Sequence, residues 1–381
     1  MIEILLNNFF IWINFLIIIF YNLFLYLKNK EYSLKEFLLQ IVFTFIFLNI
    51  VVYAAYYFGT NLYQKEYLNG KVNQFVYEEP WTEDYDCSYE ECTTDSKGKK
   101  TCRTIQKTCQ TRHSEEYYLL SSLNSRQNIS KYNFRKSEIE FGSHREEVYR
   151  SSQNAYSKMK GEGDIYRVYP TKFIPVSEKH EYKNYILGSN ETIYKKQKDI
   201  TLKVLNYPNL YRDSYGNLII DRVQNYNDKN LENKMNYLAY KYGKSKQINP
   251  MIYIVRNASK DYIYAIENIW NGGNKNDSII ILNIDNNGTI TWSDSINWSK
   301  DSNFKIKAKK FFKGLNINET DKIVNLYENL INKYWSRLSM EKEYGYLKND
   351  LDIDWYIQLF IIIINLLGNI ALSRYFLNNK L

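Results

Sequence analysis

Four cysteines carry the clearest chemistry in this 381-residue chain, and all of them lie between positions 87 and 109. Between Cys92 and Cys102, the sequence Asp-Ser-Lys-Gly is typical of a turn between two polar strands. A hairpin about that turn brings Cys92 close to Cys102, and Cys87 close to Cys109. We therefore expect two nested disulfides, although four cysteines also allow other connectivities.

A zinc site is the alternative for these cysteines. Their spacings, C-x4-C and C-x6-C with His113 as a further ligand, could hold a metal ion, but structural zinc usually has tighter ligand pairs. An oxidising compartment outside the cytoplasm favours disulfides. A redox-active pair is disfavoured because the chain has no C-x-x-C motif.

Three aspartates form a second candidate site. Asp285 is expected at the end of a strand, where it could ligate a divalent cation together with Asp277 and Asp294. The competing interpretation is structural, because Asp-Asn-Asn-Gly is typical of a hairpin turn and Asp277 would begin a strand after a loop. No other cofactor is expected.

The remaining candidates are few. Three histidines leave few candidates for a histidine-rich metal centre, and no serine or cysteine is spaced to act as a nucleophilic partner of His180. Trp270 and the pair Gly272-Gly273 could form a ligand loop. A tryptophan that closes a helix more often packs into the core, and the glycines would then end the helix.

Two structural parts are expected to position these residues. Residues 61–199 contain short strand-like stretches, which predict a β-rich, disulfide-linked module. These stretches are KVNQFVYEEPW, KTCRTIQKTC, SEIEFG, DIYRVYP and HEYKNYILG. Residues 200–340 alternate between helix-like and strand-like periods, which predicts an α/β domain. The helices are expected in LENKMNYLAYKYG, DYIYAIENIW and FKIKAKKFF, and the strands in PMIYIV, SIIILNI and NNGTITW.

Three uncharged runs are long enough to cross a bilayer, since about 20 helical residues span its hydrocarbon core. The runs are residues 9–27, 38–59 and 355–372. Two of them make up residues 1–60, and residues 341–381 comprise a linker, the third span and a tail. The amphipathic stretch that starts at NETDKIVNLYENLI is expected to lead straight into the third span. Asn14, Asn22 and Asn365 would hydrogen-bond between these helices.

Basic residues indicate how the spans are oriented. Lys28, Lys30 and Lys35 lie between the first two runs, and Arg374 and Lys380 follow the third. Because Lys and Arg collect on the cytoplasmic side, both segments are predicted inside and the N-terminus outside. The chain is thus expected to be a multi-pass protein of the inner membrane.

Residues 60–354 are then outside, in the periplasm of a Gram-negative host. The whole chain has a net charge of +8, and its Lys and Arg are interleaved with Asp and Glu in this outer segment. No basic stripe for nucleic acid emerges. The expected partners are the lipid bilayer, an unidentified membrane or periplasmic protein, and a second copy of the chain.

The loop from Trp270 to Gly273, followed by an apolar strand and an Asn-Gly turn, resembles the TPM fold of extracytoplasmic domains. This resemblance covers about residues 231–312. It implies either a metal-dependent phosphatase or an assembly and repair factor. In the first case, Asp285 would stand for the first acid of the family's acidic turn.

Nearly the whole chain resembles a family of uncharacterised membrane proteins of large tailed bacteriophages. The shared features are two N-terminal spans, the start Leu68-Asn69-Gly70-Lys71-Val72, a cysteine-rich hairpin, and a His-x-x-x-Asn-Tyr-Ile motif from His180 to Ile186. A TPM-like part and a C-terminal span complete the pattern. The family has no assigned activity.

We therefore predict a membrane-anchored α+β protein with three transmembrane helices, a β-rich module and a TPM-like domain. The leading functional hypothesis is an interaction protein that acts on the host envelope, in superinfection exclusion, lysis timing or membrane remodelling. The absence of an evident catalytic set favours it over an enzyme. The alternative is a metal-assisted, phosphatase-like hydrolase on the TPM-like domain.

Overall fold

The chain forms a mixed α+β unit between Leu62 and Asp350, with long apolar helices before and after it. A computed structural model describes residues 9–28, 33–59, 62–94, 98, 100–147, 158–160, 163–188, 202–350 and 355–379. The side chains of Asn14 and Asn22 and the residues Lys30 and Lys380 lie outside the described parts.

Helices occur at both ends and throughout the second half of the chain. They are α1 (Phe9–Lys28), α2 (Leu34–Gly59), α3 (Lys131–Phe141), α4 (Tyr185–Gly188), α5 (Lys229–Lys246), α6 (Asp261–Ile269), α7 (Asn303–Phe311), α8 (Thr320–Tyr334), α9 (Met340–Tyr344) and α10 (Trp355–Asn379), with a 3-10 helix at Gly345–Asp350.

Strands dominate the first half of the α+β unit. They are β1 (Tyr63–Glu78), β2 (Trp81–Asp86), β3 (Tyr89–Thr94), β4 (Lys100–Ile105), β5 (Thr108–His113), β6 (Glu116–Ser121), β7 (Arg126–Asn128), β8 (His144–Glu146), β9 (Lys158–Lys160), β10 (Ile165–Val168), β11 (Pro175–Lys183), β12 (Tyr211–Arg212), β13 (Leu218–Ile219), β14 (Val223–Gln224), β15 (Asn249–Arg256), β16 (Asp277–Ile284) and β17 (Ile290–Asn297).

The long strand β1 organises the β-rich module. Its first half pairs antiparallel with β11, and its second half pairs with β6 on one side and β10 on the other. Phe75 of β1 is fully buried and packs with Leu119 and Val168 from these neighbours and with Phe134 of α3. Burial of these side chains supplies the core of the module.

The cysteine hairpin has the nested pairing that its central turn predicts. β3 and β4 pair antiparallel with Cys92 opposite Cys102, and the structure contains the disulfides Cys87–Cys109 and Cys92–Cys102. Almost every residue of β3 and β4 is exposed, so this hairpin projects from the module. Disulfides are compatible with an extracytoplasmic location.

The last four residues of HEYKNYILG form α4 rather than a strand. The other stretch wrongly predicted as a strand, SEIEFG, lies in helix α3. The reason is a capping box: the Ser130 hydroxyl accepts a hydrogen bond from the Asn133 backbone N–H at 3.1 Å, and the Asn133 side chain accepts one from the Ser130 backbone N–H at 3.3 Å. These two bonds satisfy N–H groups that a helix start leaves free.

The second half is an α/β layer, as its alternating periods predict. Its sheet has the order β14-β15-β16-β17, in which only β17 is antiparallel to its neighbour. Helices α5, α7 and α8 cover one face, whereas α6 covers the other. β15 and β16 are apolar on both faces because both faces are buried.

The link to the last helix differs from the prediction. Helix α8 ends at Tyr334, and Trp335 has an extended backbone rather than a helical one. Arg337 then forms a β-bridge with Ser299 before the Ser339 hydroxyl caps α9. A single continuous helix into α10 is therefore wrong, because this short segment pairs with the chain that follows β17.

Among the described residues, one of the three runs expected to span a membrane lies in a helix that is long and apolar enough to cross it. It is Leu359–Phe376 in α10. Helix α2 packs against both α1 and α10. The Gln40 amide donates to the Asn369 carbonyl and the Ser373 hydroxyl, both at 2.8 Å, and Thr44 donates to the Asn369 side chain at 2.8 Å. Asn365 accepts from the Asn369 amide within α10.

Candidate functional site

The three aspartates predicted to share a cation do not meet. Asp277 begins β16 and Asp285 follows its end, so at about 3.3 Å per residue they are roughly 26 Å apart. Asp294 in β17 lies opposite Ile281, near the middle of that distance. A metal-assisted phosphatase needs ligands that converge on one ion, and these three residues do not provide them.

Each aspartate has a structural role instead. The buried Asp277 carboxylate accepts hydrogen bonds from the Asn249 amide at 2.7 Å, the Tyr207 hydroxyl at 2.9 Å and the Asn274 backbone N–H at 2.7 Å. Burial raises the pKa of Asp277 to about 7. Asp285 accepts from two N–H groups of its own turn, and Asp294 lies 3.5 Å from the Lys309 ammonium.

The other candidate residues are also held within the fold. The indole N–H of Trp270 donates to the Leu205 carbonyl, and Gly272 and Gly273 both have positive φ where α6 ends. His180 contacts the buried Glu66 carboxylate at 2.9 Å. His113 stacks on Trp81. Among the residues that the structure describes, neither histidine lies in a group that could hold a metal ion.

Among the described residues, the one group with suitable metal-ligand geometry is Glu90, Cys92 and Cys102. The two thiols are joined in a disulfide, so no free thiolate is left for a zinc ion. This geometry favours the disulfide interpretation of the cysteine segment over the zinc alternative.

A buried arginine joins the two halves of the α+β unit. Arg222 is 1% exposed, and its guanidinium donates to the side-chain oxygens of Asn69 at 2.6 Å, Asn249 at 2.6 Å and Asn236 at 3.0 Å. These partners lie in β1, β15 and α5. Because Asn249 also donates to Asp277, an amide connects the buried positive charge to the buried negative one.

A charged groove runs along the edge strand β17. It lies between α6 and α7, has a volume of about 470 Å³, and carries four lysines: Lys260, Lys305, Lys309 and Lys313. We call it the lysine groove. Glu267 and Asp294 are the acidic residues that line it, so positive charge is in excess.

Helix geometry places two of the lysines side by side. Lys305 and Lys309 are four residues apart in α7 and therefore lie on one side of it, and Lys313 follows in the turn after the helix ends at Phe311. Phe304 and Ala308 of the same helix are buried against the sheet, so the lysines project beside it. Lys309 has the Asp294 partner noted above, whereas the described residues place no carboxylate within ion-pair distance of Lys305 or Lys313.

The floor of the lysine groove is partly aromatic. Trp292 of β17 donates its indole N–H to the Ala258 carbonyl at 3.0 Å, which fixes the ring, and Tyr264 of α6 is 52% exposed. Ammonium groups beside aromatic rings suit an acidic peptide that also carries apolar side chains. The signal for this surface in the sequence was the recurrence of lysine at every fourth position, at 305, 309 and 313. The apolar residues of the same stretch predicted only a helix.

No family model, curated protein or solved structure matches this chain. Its function must therefore be inferred from the geometry of its own residues.

Proposed function

We propose that this protein is a multi-pass protein of the inner membrane whose periplasmic α+β unit docks an acidic protein partner in the lysine groove. The excess of lysine along the edge of β17 is the observation that carries the proposal. Opposite charge speeds encounter and selects among partners, and the aromatic floor supplies apolar contact area.

Membrane anchorage by α1, α2 and α10 is supported by what these helices expose. Phe20, Leu27, Phe45, Ile50, Phe360 and Leu367 are each at least 60% exposed. Large apolar side chains exposed to this extent are unfavourable in water and suit hydrocarbon. The polar side chains Gln40, Thr44 and Asn369 face one another between α2 and α10, where amides stabilise helix pairs in lipid.

The orientation follows from the basic residues of the connector and tail, which belong in the cytoplasm. The α+β unit, with its two disulfides, is then periplasmic. The resemblance to bacteriophage membrane proteins suggests the setting. A phage product placed this way acts on the host envelope, in superinfection exclusion, lysis timing or membrane remodelling.

Charge reversal in the lysine groove tests the docking surface. The full-length protein in detergent would be titrated with polyglutamate, and binding followed by fluorescence anisotropy. We expect the triple variant Lys305→Glu, Lys309→Glu, Lys313→Glu to bind at least about tenfold more weakly, because exposed charge pairs contribute roughly 0.2–1 kcal/mol each.

A matched control has the same change in net charge elsewhere. Lys229, Lys244 and Lys333 are exposed and lie outside the lysine groove, so their replacement by Glu should leave polyglutamate binding within about twofold of wild type. Equal loss in both triple variants would mean that net charge alone attracts the polymer, and the docking proposal would fail.

A further inference from the structure

A second concave surface lies at the end of the α+β unit that adjoins the long helices. It is an open cleft of about 510 Å³ between the end of β11, the start of β16 and the segment that precedes α9. Its cationic side chains are Lys183, Lys275 and Arg337, and Glu341 is its acidic one. We call it the membrane-proximal cleft.

Its apolar wall is continuous with the long helices. Tyr182, Tyr185 and Met340 line the cleft and belong to the same hydrophobic cluster as Ile361 of α10 and Val51 of α2. Ile361 lies six residues into α10, about 9 Å along its axis. In the proposed topology this is the outer end of the helix, so the cleft opens at the depth of the lipid headgroups.

Two of the cations face the cleft without an acidic partner. The Lys275 ammonium lies 4.7 Å from the centre of the Tyr182 ring, and the described residues place no carboxylate within ion-pair distance of Lys275 or Lys183. Burial lowers the pKa of Lys275, an effect that Glu66 opposes and Arg337 reinforces. An anion beside Lys275 and Lys183 would relieve this unfavourable desolvation.

The third cation is fixed in place. One Arg337 nitrogen donates to the buried Glu66 carboxylate at 2.6 Å and another donates to the Gln247 carbonyl at 2.8 Å. Glu66 also contacts His180. Because Glu66 forms an ion pair with Arg337, the positive charge available to a ligand comes mainly from Lys183 and Lys275. Glu341 accepts a hydrogen bond from the Tyr185 hydroxyl at 2.7 Å.

We infer that the membrane-proximal cleft binds the phosphate group of an anionic phospholipid in the outer leaflet of the membrane that anchors the protein. The inference rests on the proposed membrane anchorage. A phosphodiester would lie between Lys183 and Lys275, and the acyl chains would continue along the apolar wall toward α2 and α10. Lipid is the favoured source of phosphate because the cleft opens beside those helices, where lipid phosphate is concentrated.

The experiment uses the full-length protein reconstituted in nanodiscs of phosphatidylcholine that contain a minor fraction of photoactivatable phosphatidylglycerol. Crosslinked lipid is counted by mass spectrometry and mapped to peptides. We expect labelling of cleft peptides, and a loss of roughly 10- to 30-fold in the double variant Lys183→Met, Lys275→Met. Lys229→Met, Lys244→Met serves as the matched control and should label as wild type does.

Arg337 is left unchanged in this test, because its removal would leave Glu66 buried without a counter-charge. Equal labelling of the cleft by photoactivatable phosphatidylcholine would overturn the inference of an anionic ligand. Full protection from labelling by millimolar inorganic phosphate would show that the cleft takes free phosphate, and would overturn the lipid source. Protein that fails to enter nanodiscs refutes the proposed anchorage itself, whereas protein that enters but labels elsewhere refutes the cleft alone.

Discussion

Gly243→Ala should destabilise the α+β unit, although the same substitution usually stabilises a helix. Gly243 lies inside α5, where Ala is ordinarily favoured over Gly by about 0.8–1 kcal/mol. A Cβ at this position would lie 2.0 Å from the Asn69 carbonyl oxygen of β1. Side-chain Cβ atoms essentially never come within 3.0 Å of another heavy atom, so α5 and β1 must move apart.

The cost can be worked from the contacts that this movement strains. Arg222 donates to the Asn69 side chain at 2.6 Å, and Asn69 donates to the Ile248 carbonyl at 3.1 Å. A buried donor that loses its acceptor costs about 1–3 kcal/mol, and overpacking strain costs a similar amount. After the gain in helix propensity is subtracted, the net loss is about 3 kcal/mol, which lowers Tm by roughly 6–10 °C for a unit of this size.

The assay is thermal unfolding of the detergent-solubilised, full-length protein, followed by near-ultraviolet circular dichroism. Gly345→Ala is the control, because a Cβ there would meet no heavy atom within 4 Å and Gly345 has helical backbone angles. Its Tm should equal or slightly exceed that of wild type. A Gly243→Ala variant as stable as wild type would refute the reasoning that α5 and β1 lie too close together to admit a Cβ at this position.

Two further predictions concern the buried carboxylate and the cysteine hairpin. The pKa of Asp277 is about 7 in the folded protein, whereas its ordinary value is 3.8. Between these pH values the folded state binds a proton that the unfolded state does not. The contribution of Asp277 to stability therefore falls as pH rises from about 4 to about 7. In the variant Asp277→Asn, the slope of Tm against pH over this window should flatten. The control Asp321→Asn, at an exposed position, should show the same slope as wild type. An unchanged slope in Asp277→Asn would be evidence against a buried titrating group. Replacing Cys92 and Cys102 with Ser should shift the Tm of the main unfolding transition by no more than about 2 °C. The reason is that the residues of β3 and β4 are exposed and pack against no core. Limited proteolysis should cut the hairpin faster in this variant than in wild type. A large fall in Tm would show that the hairpin supports the core.

Local features were predictable from the sequence. The turn after Cys92 predicted the register of β3 and β4 and hence both disulfides, since a hairpin turn fixes which residues face each other. The apolar periods predicted α5, β15, α6 and β16 in their order. The Asp285 turn was also one of the two interpretations that the sequence offered. Each of these features depends on residues that are close together in the chain.

Some local predictions were wrong because a further interaction overrides the pattern of the segment itself. The SEIEFG stretch alternates like a strand, but the capping box at Ser130 starts a helix before it. The amphipathic segment ahead of α10 was expected to be one helix, but the β-bridge between Ser299 and Arg337 interrupts it. The partner residue in the second case lies far away in sequence, so the pattern around Arg337 contains no sign of it.

The sites were decided by tertiary structure. The three aspartates look like a ligand set in the sequence, yet the length of β16 separates Asp277 from Asp285. Arg222 lies in an ordinary polar and apolar stretch, and its guanidinium donates to amides from three different elements. The lysine groove and the membrane-proximal cleft are likewise built from segments that meet only when the sheet forms. Sequence thus determined the elements and their local turns, because those depend on neighbouring residues, whereas the packing of the elements determined which charges come together.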